Sequence, residues 1–238
     1  MTNLKGKNAI VTGGGRGLGK AVALALAAEG VNVAVTGRNE ENLKNTVEEI
    51  KSNGVQSAYA IFNIDNEAEV IEGINKLAEE LNGVDILINN AGIGDFGKIE
   101  DMPSLVWEQV IKTNLFGVYY AAKAVYPYLK AKGEGDVVNV ASTAGLKGGG
   151  GMSAYAASKA AVVSLSQSMM AEWRKENIRV ITLTPSTIAS DMSIQGGLTD
   201  GNPERVLQPE DFAEWVRDIL KMNRRAMIAN GSIFSTNP

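Results

Sequence analysis

Tyr155 and Lys159 stand four positions apart in a stretch of helical composition, a spacing that puts both side chains on one helix face. A tyrosine near its ordinary pKa of about 10 is a slow acid or base at neutral pH. An ammonium beside it favours the tyrosinate and so lowers that pKa. Such a pair can pass a proton to a substrate oxygen. The 238 residues include no histidine and no cysteine, which excludes His-based triads, cysteine nucleophiles and Cys-ligated zinc, and leaves Tyr155 as the candidate proton donor. Ser142, just past an apolar run, is placed to hydrogen-bond the same oxygen and orient it. Taken singly, each residue has a plain alternative: Tyr-x-x-x-Lys pairs are common on helices, Ser142 can be a turn residue, and Asn114 can be a helix N-cap.

A second chemical feature lies near the N-terminus. The apolar run Asn8–Thr12 ends in Gly13-Gly14-Gly15-Arg16-Gly17-Leu18-Gly19, and an Ala- and Leu-rich helix follows to Glu29, stopped by Gly30. Glycines in a strand-to-helix turn let the backbone approach a pyrophosphate, and the helix N-terminus presents N–H groups to it. A tight turn without a ligand is the plainer alternative. The position between the first strand and first helix of an alternating chain argues for the dinucleotide. The second strand leads into Thr36-Gly37-Arg38 with no acid at its tip. An acid there would hold the ribose 2′-hydroxyl of NAD and repel a 2′-phosphate. The Arg38 guanidinium can pair with that phosphate, and Arg16 can approach it from the turn. The expected cofactor is therefore NADP(H). Two solvated surface arginines are the bland alternative. Glu40 and Glu41 fall at the start of the next helix, where they can point away.

Strands are expected at Asn8–Thr12, Val31–Val35, Ser57–Ile64, Asp85–Asn89, Asp136–Ala141 and Arg179–Thr184, with an edge strand at Ala226–Ala229. Helices are expected at Leu18–Glu29, Glu40–Ser52, Glu67–Leu81, Ser104–Lys112, Asn114–Ala131, Ala154–Glu176 and Gln208–Met222. Strict alternation predicts an α/β fold: a Rossmann-type doubly wound parallel sheet of about seven strands, helices on both faces, in one domain over 1–238. Ligand loops then fall after the strands' C-terminal ends. Two stretches look mobile: Lys147–Gly151, and Ser186–Arg205, which has weak periodicity and is expected to act as a substrate lid.

The spacing of Thr12, Gly13, Gly17 and Gly19 resembles the short-chain dehydrogenase/reductase family. The likeness continues in Asn89-Asn90-Ala91-Gly92 and in Ser142, Tyr155 and Lys159, in the family's order over essentially the whole chain. It is strongest to the 3-oxoacyl-[acyl-carrier-protein] reductase group. It implies Asn114, Ser142, Tyr155 and Lys159 as the catalytic set, with Lys159 also holding the nicotinamide ribose and Asn114 shaping its helix and holding a relay water. It implies cofactor contacts at Gly13, Gly15, Arg16, Gly17, Leu18, Gly19, Arg38, Asn63, Ile64, Asn90, Ala91, Gly92, Pro185, Thr187 and Ile188. Two departures stand out: Asn63 where the family often has Asp, and Ser186 where it usually has Gly. The substrate pocket is expected from Gly94, Phe96, Ala144, Leu146, Met152, Ser186 and Met192, mostly apolar or small.

The resulting expectation is an NADPH-dependent oxidoreductase that reduces a carbonyl to an alcohol, with a 3-oxoacyl-[acyl-carrier-protein] substrate of fatty acid biosynthesis. Alternatives are reduction of small free ketones, diketones or sugars, and a non-catalytic NADP(H)-binding regulator. An acidic carrier would need a basic docking surface, and Lys130, Lys132, Arg174 and Lys175 are candidates, diluted by Glu134, Asp136, Glu172 and Glu176. Hydrophobic residues at 45%, charged residues at 21% and a net charge of −4 fit a globular protein and argue against a general nucleic-acid binder. No signal peptide, membrane helix or metal site is apparent, and a cytoplasmic location is expected. Small and apolar residues on Asn114–Ala131 and Ala154–Glu176 predict a homo-oligomer, with a tetramer favoured.

Overall fold

The computed structural model describes residues 2–236; Met1, Asn237 and Pro238 lie outside them. Seven parallel strands form one sheet: β1 (Asn8–Thr12), β2 (Asn32–Gly37), β3 (Ser57–Ile61), β4 (Ile86–Asn89), β5 (Gly135–Val140), β6 (Ile178–Pro185) and β7 (Asn230–Ile233), in the order β3-β2-β1-β4-β5-β6-β7. The helices are α1 (Gly17–Ala28), α2 (Glu40–Lys51), α3 (Glu67–Glu80), α4 (Ser104–Ile111), α5 (Gly117–Lys132), α6 (Ser153–Trp173), α7 (Asp191–Gln195) and α8 (Pro209–Lys221).

Strand side chains alternate between two cores, as a period of two requires. Val11, Val33, Ile88 and Ile181 face Leu26 of α1, Val47 of α2 and Phe212 of α8. Ile10, Ala34, Leu87 and Val180 face Ile74 of α3, Val125 of α5 and Met169 of α6. Both faces of the sheet are therefore covered. The direction of winding reverses between β1 and β4, and that is where an open α/β sheet leaves a crevice at its carboxyl edge.

Three local expectations are corrected, and the expected lid segment gains a short helix. The third strand stops at Ile61 rather than Ile64, because the Asn63 N–H turns to Glu69 (2.9 Å) and Asn66 caps α3. The edge strand is Asn230–Ile233, not Ala226–Ala229. The Ala226 N–H closes a turn onto Asn223, and Met227 and Ile228 pack on the core instead. Between α4 and α5 the chain does not break: Lys112–Phe116 forms a turn of π-helix, joining them in one rod. The segment Ser186–Arg205 includes the short helix α7, capped by Ser190 and Ser193 and fixed by a bridge from Ile188 to Leu207.

At the opposite, amino-terminal edge of the sheet, Asp136 is 1% exposed and holds two guanidinium groups. Arg179 reaches it with Nε and Nη2 at 2.5 and 3.1 Å, and Arg224 with Nη1 at 3.1 Å. Arg179 also donates to the Leu220 and Met222 carbonyls, so this cluster anchors the chain leading to β7.

Candidate active site

A cleft of about 1450 Å³ opens at the carboxyl ends of the strands. Gly13, Gly15, Arg16, Gly17 and Leu18 line its floor. Gly13 and Gly17 take positive φ (68° and 54°), which L side chains rarely adopt. Gly19 does not line the cleft. A Cβ there would overlap the Gly13 carbonyl and press on Asn90, so this glycine lets α1 close on the turn rather than touching a ligand. Thr12, which the spacing marked without a role, is 1% exposed and its hydroxyl accepts the N–H groups of Asn90 and Ala91, both at 3.0 Å. Asn90 in turn donates to the Thr12 and Gly13 carbonyls (3.0 and 3.3 Å). The tips of β1 and β4 are thus locked together under the glycine turn.

Arg38 stands exposed on the cleft wall beside Thr36 and Gly37. Glu40 is turned away, bonded to Lys44 and to the Tyr59 hydroxyl (both 3.0 Å), which hold its carboxyl below the usual range. Neither Glu40 nor Glu41 lines the cleft beside Arg38. Arg16 does not reach toward Arg38. It pairs with Asp191 of α7 at 2.9 Å, both side chains exposed, spanning the cleft. Asn63, Ile64, Asn90, Ala91, Gly92, Pro185, Thr187 and Ile188 all line the wall.

Tyr155 and Lys159 lie on the same face of α6, with the Lys159 Nζ 5.7 Å from the Tyr155 ring centre. Ser142 lies past the end of β5, where the chain turns into the cleft. Asn114 is fully buried in the π turn, not on the cleft wall. Its amide accepts the Ile93 N–H (2.8 Å) and donates to the Ile93 carbonyl (2.9 Å) and the Ser158 hydroxyl (3.0 Å). A π turn places an extra residue in the ladder, and such bulges recur at functional sites. A Cβ on Gly92 would stand 3.1 Å from Asn114 Oδ1 and 3.7 Å from Lys159 Nζ, so the glycine leaves a hollow between two polar groups.

The electrostatics differ from the expectation that Lys159 depresses the Tyr155 pKa. Burial dominates and pushes the Tyr155 hydroxyl up, while a hydrogen bond with Ser142 pulls it back. Lys159 itself is 5% exposed, donates to the Val140 carbonyl at 2.8 Å, and is lowered by burial to about 8. It is a lysine poised to exchange a proton near neutrality.

Phe96, Ala144, Leu146, Met152, Ser186 and Met192 line the far end. Gly94 does not; it sits behind Phe96 and Met192. Ile194 and Leu198, both within the expected lid segment, stand at the mouth 48% and 43% exposed. Phe234, 60% exposed beside them, lies in a short polar segment with no local signal to mark it. The candidate carrier-docking cations lie away from this cleft. Arg174 follows Tyr155 by nineteen helical positions, roughly 28 Å at 1.5 Å per residue, on the side away from the cleft. Lys130 and Lys132 are paired with Glu176 and Asp85.

Of the small and apolar residues expected to form a surplus face on α5 and α6, Ala121, Ala122, Ala124, Val162 and Met169 are buried within the chain, whereas Ala160 is exposed and Ala161, Val163 and Leu165 are half-buried. Phe116 (42%), Tyr119 (45%) and, on α4, Leu105 (79%) are exposed as well.

A family model described as "short chain dehydrogenase" matches residues 7–199. A 3-oxoacyl-[acyl-carrier-protein] reductase of Staphylococcus epidermidis is 34% identical over 225 residues, covering 94% of this chain and 91% of that protein. A gluconate 5-dehydrogenase of Gluconobacter oxydans is 30% identical over 216 residues, covering 91% and 80%. Among solved structures, an alcohol dehydrogenase from the archaeon Thermococcus sibiricus, complexed with 5-hydroxy-NADP, superposes with a TM-score of 0.90 at 28% identity, covering 98% of this chain and 97% of that one.

Proposed function

The chain belongs to the short-chain dehydrogenase family of oxidoreductases, and on that premise we propose that it reduces ketones with apolar flanks, 3-oxoacyl thioesters foremost, using NADPH. The observation that carries this is the convergence of Ser142, Tyr155 and Lys159 on a cleft floored by the glycine turn and walled by apolar side chains. Gly13, Gly15 and the N-terminus of α1 would hold the pyrophosphate, and Arg38 the 2′-phosphate. The hollow at Gly92 and the crevice at the switch point suit a dinucleotide. When bound, NADPH supplies the hydride to the carbonyl carbon.

The chain's residues supply the rest. Ser142 and Tyr155 hydrogen-bond the carbonyl oxygen and hold the carbon toward the nicotinamide. As negative charge develops on that oxygen, the Tyr155 O–H gives up its proton to it. Lys159 then restores that proton. Asn114 keeps the Ile93 turn and the α6 helix in fixed relation. Lysine burial is the device: an ammonium destabilised to a pKa of about 8 is a ready proton source.

Paired purified assays of NADPH and NADH oxidation test this, with 3-oxoacyl thioesters, free ketones and sugars as substrates. NADPH-dependent reduction of the thioesters is expected. Preference for NADH in the wild type overturns the cofactor assignment. Arg38→Asp should lower the NADPH-to-NADH preference ten-fold or more, from the loss of one charge-assisted pair of about 1.5–3 kcal/mol. A second reading, reduction of small free carbonyls without a carrier, is favoured by the pairing of Lys130 and Lys132 with carboxylates and by the distance of Arg174 from the cleft. Equal rates on carrier-linked and simple thioesters would support it. Any turnover at all excludes a purely regulatory role. A cytoplasmic homotetramer, paired first through the exposed aromatic face of α5, completes the proposal.

A further inference from the structure

The loop after β4 is pinned to the loop before α6. Gly97 bridges to Met152, and the Gly97 N–H donates to the Gly151 carbonyl at 2.8 Å. This fixes Phe96, whose ring meets Tyr155 edge-on, with centroids 5.7 Å apart and planes at 61°. Two glycines from separate segments press on the same ring. A Cβ on Gly94 would lie 2.8 Å from Phe96 Cζ, and one on Gly196 would lie 2.7 Å from Cδ2 and Cε2. Side chains do not approach that closely in well-packed proteins, so the ring occupies a slot that exists only because both positions lack a side chain. Gly196 closes α7, the helix on the substrate side of the cleft. One aromatic ring thus touches the tyrosine, the cleft wall and the end of α7.

We propose that Phe96 is a specificity-determining residue. Its ring caps the size of the group that the carbonyl carries on the Tyr155 side, and holds α7 against that wall. This rests on the reductase reading above. A flat, rigid wall without polar atoms passes a straight alkyl chain and rejects a branch or ring next to the carbonyl. One methylene in such a pocket discriminates about 10- to 200-fold, so opening the wall should have a comparable effect.

The test compares kcat/KM for straight-chain 2-alkanones with that for phenyl and cyclohexyl methyl ketones. Phe96→Ala should raise the bulky-to-linear ratio ten-fold or more, and Phe96→Leu should raise it less. Gly196→Ala, which drives a methyl group into the ring and also to 2.9 Å from the Met192 carbonyl oxygen, should slow every substrate in the parent and less in the Phe96→Ala background, where the clash with the ring is gone. A packing defect unrelated to Phe96 would not give that rescue. Amide hydrogen exchange over residues 188–198 should quicken in Phe96→Ala, measured without any substrate. An unchanged ratio in both Phe96 variants overturns the proposal. If the wild type reduces no ketone, the reductase reading fails by itself, and unchanged exchange then overturns the coupling of Phe96 to α7.

Discussion

Lys159→Met exposes how much the fold spends on holding a charge in the dark. Lys159 is 5% exposed and its pKa falls from 10.5 to about 8 through burial alone. At about 1.4 kcal/mol per pKa unit, the protonated side chain destabilises the native state by about 3 kcal/mol at pH 7. The unfolded chain holds the proton up to about 10.5 and the native chain only to about 8, so in that window the unfolded state binds more protons. Stability must therefore rise with pH there. Methionine is neutral at every pH. It loses the 2.8 Å bond to the Val140 carbonyl, an acceptor whose loss of a partner costs about 1–3 kcal/mol independently of pH. At pH 7 the two terms largely cancel, and the variant should be as stable as the parent or slightly more so, although turnover is lost. Between pH 7 and pH 10 the parent should gain roughly 2–3 kcal/mol on the variant. Urea unfolding of both proteins at pH 7, 8, 9 and 10 measures this directly. A stability difference that stays flat across that series would refute the argument, and with it the buried ammonium.

Tyr155→Phe keeps the ring against Phe96 and removes the proton; turnover should fall by roughly 10²–10⁴ while NADPH binding, followed by fluorescence, persists. Asp136→Asn strips the charge that the buried Arg179 and half-buried Arg224 guanidinium groups share and should destabilise by about 3–5 kcal/mol, lowering the thermal midpoint by roughly 10 °C; a shift under about 2 °C would show that solvent or a neighbour compensates. Light scattering at micromolar concentration reads assembly against a chain mass of 25.2 kDa. A value about four-fold higher is expected, about two-fold leaves only the α5 pairing, and the monomer mass sinks the assembly proposal.

The residues forced by chemistry were legible in the sequence. A phosphate turn must have glycines, and a chain without histidine must put its proton on something else, so Gly13, Gly17 and Tyr155 announce themselves. The inner strands were legible because burial on both faces makes them continuous apolar runs, as in VNVAV and DILIN. The elements missed are those whose reason lies elsewhere in the chain. β7 is a polar Asn-Gly-Ser-Ile segment, recognisable only because Gly231 lets Trp215 of α8 come close and because Thr184 bonds Ser232 (2.6 Å). The partner of Arg16 is Asp191, 175 positions away, and no local pattern connects them. The π turn carries no glycine or proline to mark it: Lys-Thr-Asn-Leu-Phe is an ordinary helical string, and its widening is imposed by Asn114 reaching the Ile93 backbone.

That widened turn sets the angular phase of a single rod. From Ser104 to Lys132 the helix is continuous, but its two halves are out of step by the rotation that one residue contributes, about 100°. Losing one residue within Lys112–Phe116 would let the rod relax to uniform α geometry with its hydrogen-bond ladder intact. It would also swing α4 around the axis relative to α5 and carry Asn114 off Ile93. Backbone energetics alone would welcome such a deletion, since it removes the less regular geometry. The residue count here is thus defended by what the rod must point at and not by how well it folds, so a descendant that lost the phase would remain a sound helix with a misaimed amide.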